Sequence, residues 1–315
     1  MIAPTETPFF SMTRKTSSSA VLSETVADTL RKPRLIGGRE GQGASQIGSQ
    51  SSKRQRFGVY QHKLFDNWAV SDVQQAVAQK GGNAVTNDEK LYAKQKAIRA
   101  IKTDGEAICL SDQEMQGGSD DEMKTRGGFK WVQTAAQSVN PVPDDFRPPA
   151  TSIITLGSDI LTETNSAAGY KSLNGVLKSM KQVYGKKIDV EGFFGDDLCE
   201  MVDNFSRLNA GTTESRYNVM ENGNGRTITL SVQIFDTTFA RLHVIPDQFV
   251  RCDANGNGKG KAGLLVVPEE WEIQWLEELV SQEMPDTGGG PSGWIRGFFA
   301  LGCRNPKGQG AILDS

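Results

Sequence analysis

Residues 4–10 read Pro-Thr-Glu-Thr-Pro-Phe-Phe. Two prolines bracket a polar stretch, and two adjacent aromatics close it. Proline fixes φ and holds the residue before it in extended geometry, so neither a helix interior nor a central strand fits here. From Ser11 to Arg56 the chain is then rich in Ser, Gly, Gln and basic residues, with Leu22, Val26, Leu30, Leu35 and Ile36 as isolated apolar points. Such a segment buries too little to offset its own ordering entropy. It is either a disordered tail or an extended arm that orders against neighbours, and Phe9 and Phe10 read as exposed anchors on a stiff leader.

Charge sharpens the second reading. Residues 1–63 hold ten Lys/Arg against four acids, a net of +6, while the remainder carries a net of −9. A basic arm on an acidic body attracts nucleic acid, or the acidic body of another copy. Apolar content of 37% and a length of 315 residues supply enough material for one large or two modest cores. The 34 glycines favour a β-rich or mixed fold over a helical bundle. Cys109, Cys199, Cys252 and Cys303 are scattered without a C-x-x-C pair, which suits reduced thiols. No apolar run approaches the length of a membrane span.

Periodicity places the elements. Thr86-Asn87-Asp88-Glu89 forms a capping box, and Leu91, Ile98, Ile101 and Ile108 follow at helical spacing. A helix over 87–111 is about 37 Å long at ~1.5 Å per residue; its thin apolar stripe lays it across a surface. Gly117 to Pro149 is loop-like, and a domain boundary falls near 150. Gly169–Tyr184 reads as a second helix, with Tyr170, Leu173, Val176, Leu177 and Met180 on one side and Gly185 as its stop. Asp196–Leu208 reads as a third. Thr227–Phe235 alternates without a miss and predicts one half-buried strand. Asp236-Thr237-Thr238 turns the chain into a strand over Phe239–Ile245. Leu264–Val267 and Trp294–Arg304 read as strands, whereas Pro268–Val280 fits helix or strand.

Chemistry is sparse. His62 and His243 lie far apart in strand-like contexts and read first as structural or surface histidines, with a zinc or acid–base role the alternative. No G-x-S-x-G elbow anchors a hydrolase triad. Asp253-Ala254-Asn255-Gly256-Asn257-Gly258 matches half a calcium loop, but Leu264 stands where the bidentate Glu belongs, so a hairpin turn is the better reading. Asp196-Asp197 and Glu269-Glu270 are solvated element starts. Lys53-Arg54-Gln55-Arg56 suits phosphate, with only Phe57 and Tyr60 nearby for stacking. No catalytic, cofactor or metal site is expected.

Several strings, in this order, resemble one branch of the major capsid proteins of tailed double-stranded DNA bacteriophages, whose fold is shared with the herpesvirus capsid floor and encapsulins. They are Pro4-Thr5-Glu6-Thr7-Pro8-Phe9, then Lys102-Thr103-Asp104-Gly105-Glu106-Ala107, then Ile234-Phe235-Asp236 with Leu242-His243-Val244-Ile245-Pro246-Asp247-Gln248-Phe249. Pro268-Glu269-Glu270-Trp271 and Cys303-Arg304-Asn305-Pro306 follow. Each is modest alone, but the order and spacing extend over nearly the whole chain.

The resemblance implies an α+β fold of the tailed-phage major capsid (Johnson) type. Its parts are an N-terminal arm over 1–11, an extended β-hairpin loop over 12–64, a peripheral domain with its spine helix over 65–150, an axial domain with a central sheet over 151–262, and return strands over 263–315. It assigns Trp271–Trp275 to strand. Relatives carry a further segment before the leader, so the arm is short here or the start is late, and a separate scaffold protein is expected.

It further implies a non-enzymatic shell protein of the virion, assembled in the host cytoplasm without cofactors. Partners are other copies in hexamers and pentamers, portal, possible scaffold or decoration proteins, and packaged DNA bound non-specifically, with no membrane. The competing readings are an encapsulin-like cellular compartment and an unrecognised enzyme. Candidate inter-subunit contacts are Phe9, Phe10, Arg31, Arg34, Arg39, Lys53, Arg54 and Arg56.

Overall fold

The computed structural model describes residues 6–28, 54–74, 89–118, 122–156, 163–204, 218–222, 225–229, 234–252, 258–285 and 288–314, with residues 40 and 76 in isolation and residue 75 excepted. The leader turns into a short helix, α1 (Pro8–Met12), whose first residue is the proline that needs no amide partner there. Strand β1 (Arg14–Ser17) follows, then β2 (Leu22–Ala27), β3 (Gln55–Tyr60) and β4 (His62–Ala69). The spine helix α2 spans Glu89–Cys109, and the single-turn α3 spans Gly128–Trp131.

The second half brings β5 (Ile153–Leu156), helix α4 (Glu163–Tyr184), β6 (Ile188–Phe194) and helix α5 (Asp196–Asn204). Strands β7 (Asn218–Asn222), β8 (Gly225–Thr229), β9 (Ile234–Asp236) and β10 (Ala240–Pro246) come next. The chain ends with β11 (Gly263–Val266), β12 (Trp271–Met284), β13 (Ser292–Cys303) and β14 (Gly310–Asp314).

One four-stranded sheet has the order β1-β12-β13-β4, and a six-stranded sheet has the order β5-β14-β11-β6-β10-β9. The six-stranded sheet divides two cores, because side chains alternate across a strand. Phe193, Leu264 and Ala311 face the first core, while their neighbours Phe194, Leu265 and Ile312 face the second. The second core is closed by Leu173, Val176, Leu177 and Met180 of α4, all fully buried at helical spacing as expected. Gly185 ends that helix at φ +70°, its amide returning to the Lys181 carbonyl at 2.8 Å.

The first core lies between the four-stranded sheet, α2 and the leader. Its helical face bears out most of the expected stripe: Ile101 is fully buried and Ile98 and Ile108 pack partly buried against this core, whereas Leu91 is half exposed. The other buried positions are Ala97, Gly105, Glu106 and Cys109. Small residues join that face because a sheet and a second helix approach it closely, which a reading based on large apolar residues does not find.

Two further expectations change. The run 227–235 contributes to two separate sheets, since β8 pairs with β7 while β9 pairs with β10. Perfect alternation marks extended chain but carries no information on a change of partner. Pro268–Glu270 forms a 3-10 turn, after which Trp271, Ile273 and Trp275 point inward along a strand. This resolves the ambiguous stretch as the resemblance implied. The Thr86 cap and Asp253–Asn257 of the calcium-like loop lie outside the described residues.

Candidate functional site

Parts of four of the strings that carry the resemblance, far apart in sequence, meet at the leader. Glu106, on the interior face of α2, is fully buried and accepts the Phe9 amide at Oε1 (2.7 Å) and the Phe10 amide at Oε2 (2.6 Å). These are N-terminal amides of α1, which have no partner within their own helix. A carboxyl from a distant helix thus caps the leader. Beside it, Gly105 leaves room for the Phe10 ring; a Cβ there would stand 3.1 Å from Phe10 Cε2.

Both aromatics then fill the first core. The Phe9 ring meets Phe193 edge-on at 5.1 Å and Trp271 at 5.8 Å. Phe10 does the same with Trp275 at 5.9 Å and Phe299 at 5.7 Å, with Lys15 over its ring at 5.8 Å. Edge-on packing suits ring quadrupoles. Expected as exposed contacts to the next subunit, Phe9 and Phe10 are 0% and 5% exposed inside their own chain. The reading failed because the pocket that receives them is assembled from four remote segments.

Asp247, directly after β10, completes this cluster. Its carboxyl lies beside that of Glu106, and its Oδ1 accepts the Phe249 amide at 2.7 Å. Burial pushes the Glu106 carboxyl up to about 9, reinforced by the adjacent Asp247 and opposed by the two leader amides. Asp247 is raised as well, again chiefly by burial. Cys109, one turn along α2, is pushed up by burial and by Glu106.

The base of the expected loop is partly anchored. Strands β2 and β3 pair antiparallel, Leu22 opposite Tyr60 through Ala27 opposite Gln55. Ala27, Phe57 and Val59 are buried in the first core, so the coreless segment is shorter than composition implied. Arg54 reaches Asp28 at 3.7 Å and Arg56 reaches Glu24 at 3.8 Å, with side chains 78% and 72% exposed. Such pairs are worth ~0–1 kcal/mol and leave both arginines open to a neighbour. Arg31, Arg34, Arg39 and Lys53 lie outside the described residues.

Around this frame, polar groups are structural. His62 sits on β4 and His243 on β10, in different sheets. The His62 Nδ1 accepts the Thr125 amide at 3.4 Å, and burial holds its pKa down at about 4, helped by Lys124. Arg126 is fully buried, paired with Glu114 at 3.1 Å and stacked 4.7 Å over Trp131. Sequence reasoning passed over Arg126, and nothing in its neighbourhood flags it. Among the described residues no group of His, Cys, Asp and Glu could hold a metal ion, and Cys109, Cys199 and Cys303 are free thiols.

Comparison with known proteins places this frame. The family described as SU10 major capsid protein matches residues 1–315. No curated protein matches the sequence. Among solved structures, the capsid asymmetric unit of Cyanophage A-1(L) superposes with TM-score 0.62 at 11% identity, covering 98% of this chain and 92% of that one. The Mycobacterium phage Bobi structure gives TM-score 0.57 at 10% identity, covering 100% and 93%. The virus-like particle from Pyrococcus furiosus gives 0.51 at 8%, covering 96% and 91%. At these identities the structures speak for the fold alone.

Proposed function

This chain belongs to the SU10 major capsid protein family, and from that premise we propose how it builds its shell. The family makes it a structural, non-enzymatic component of the virion shell of a tailed phage, assembled from copies of itself. The family match likewise favours the phage shell over a cellular compartment, although the Pyrococcus furiosus particle has a similar fold.

The finer reading is that copies form hexamers and pentamers around packaged DNA, and that the basic loop between β2 and β3 lies on the adjacent subunit. The exposed Arg54 and Arg56 at its base support this. So does the opposition between the basic first 63 residues and the acidic remainder. With Phe9 and Phe10 withdrawn into their own core, the candidate contacts become Arg31, Arg34, Arg39, Lys53, Arg54 and Arg56. The arm (1–11) is then an internal clamp, the loop (12–64) reaches outward from an anchored base, and the peripheral (65–150), axial (151–262) and return (263–315) segments form the body. Portal, scaffold or decoration proteins would be the further partners, in the host cytoplasm, with DNA held without sequence preference.

Negative-stain imaging of purified protein tests the reading. Closed particles tens of nanometres across, with six-fold and five-fold capsomers, support it. A monodisperse monomer, also when expressed with the neighbouring head genes, refutes it.

A further inference from the structure

The Glu106–Asp247 pair combines features that conflict unless a proton is present. Both side chains are buried, at 0% and 5% exposure. They contact one another, yet two carboxylates offer only acceptors. Glu106 has both oxygens occupied by the leader amides, and Asp247 Oδ1 by the Phe249 amide. Asp247 Oδ2 is fully enclosed with no donor to satisfy it. A proton on one of the two carboxyls supplies that donor and removes one of two like charges from a site of low polarity.

We propose that Glu106 and Asp247 share one proton, and that this proton latches the leader onto the spine helix, so that its loss lets residues 6–13 leave the body. The pair joins three segments: α1 through its amides, α2 through Glu106, and the turn after β10 through Asp247. The groups that bear on Glu106 are Asp247 and the Phe9 and Phe10 amides, with no cation among them. Cys109, on the same helix, faces Glu106 as a neutral thiol. From the leader, Lys15 lies over the Phe10 ring; Phe193 of β6 and Trp271 of β12 contribute only rings against Phe9.

The sign follows from linkage. Burial, to which the docked leader contributes, is the largest cause raising the Glu106 carboxyl from its ordinary 4.5 to about 9; Asp247 adds to it and the two leader amides oppose it, so docking is strongest at low pH. It weakens as pH rises and levels off above about 9. Each undocking event releases at most one proton, so the undocked population grows at most tenfold per pH unit.

Hydrogen–deuterium exchange of peptides covering Phe9 to Thr13, in the full chain and corrected for intrinsic rates, reads that population. Protection should fall as pH rises between about pH 6 and about pH 9, by at most tenfold per unit. In Asp247→Asn the like charge is gone and the new amide donates to Glu106, so burial alone still raises that carboxyl and the fall in protection should be smaller over the same range. A flat wild-type profile, or an unchanged slope in Asp247→Asn, overturns the proposal. Should that variant fail to fold, infrared titration of the wild-type chain decides. A protonated carboxyl band that persists at neutral pH and disappears only near about pH 9 supports the latch. Its absence at neutral pH refutes it.

Discussion

Gly105→Ala gives opposite results depending on whether the leader is docked. In an isolated helix, Ala is better than Gly by ~1 kcal/mol. Here the new methyl would stand 3.1, 3.3 and 3.4 Å from Cε2, Cδ2 and Cζ of Phe10. That ring has little room to retreat, since Trp275 and Phe299 hold it edge-on at 5.9 and 5.7 Å. Overpacking of this kind costs ~1–3 kcal/mol. The net effect in the wild-type chain is therefore a loss of ~0–2 kcal/mol, by difference of the two terms. Phe10→Ala alone should cost ~3–5 kcal/mol. In that background the clash is gone, and Gly105→Ala should stabilise by its full ~1 kcal/mol. The coupling energy is then ~1–3 kcal/mol, within the range seen for residues in contact. Urea unfolding of unassembled subunits measures all four corners of the cycle; Phe10→Leu replaces Phe10→Ala if the latter does not fold. If Gly105→Ala stabilises equally with and without the ring, the leader is not docked on α2 and the reasoning fails.

Three other outcomes follow from the same structure. Trypsin should cut free subunits between Arg31 and Arg56 within minutes and assembled shells far more slowly; equal resistance in free subunits would mean the loop belongs to its own core. His62 is held neutral, with its pKa lowered to about 4, so the stability it contributes is present above its ordinary 6.5 and is lost as pH falls towards 4. At most ~3 kcal/mol depends on this. Urea midpoints should drop over that range in the wild-type chain and stay flatter in His62→Gln, with particle yield at neutral pH unchanged. Arg126→Met removes the closest cation from Glu114 and leaves the Val139 and Asn140 carbonyls without this donor, so a loss of ~1–3 kcal/mol is expected in the same assay.

What the sequence disclosed, and what it hid, divides along the range of the forces involved. Helix α4 was legible because one face carries Leu173, Val176, Leu177 and Met180, and a glycine at positive φ ends it. The face of α2 was read only in part: Ile101 is buried as expected, but Ala97, Gly105 and Cys109 share its buried positions. Small residues there are chosen by what comes close, and the partner lies some ninety residues away. The same holds for Glu106, which resembles any solvated helix acid until the leader amides arrive. Arg126 and its stack on Trp131 left no trace in spacing or composition.

The leader makes the point most fully. Local chemistry kept the residue before Pro8 out of a helix, but the helical turn over Pro8–Met12 was not read from the sequence. Whether Phe9 and Phe10 face a neighbour or their own core depends on Phe193, Trp271, Trp275 and Phe299, contributed by three different strands. It depends equally on a glycine and a carboxyl of α2. A closed pocket for two aromatics, with both exposed amides capped, leaves this part of the arm nothing apolar to offer the next subunit. Cohesion between copies must then come from elsewhere on the chain. The paired strands β2 and β3 hold the loop's base to the first core while Arg54 and Arg56 remain exposed. Such a base can present charge to a neighbour without disturbing the body behind it. Exposed ion pairs contribute little singly, but a closed symmetric shell repeats each of them at every equivalent interface.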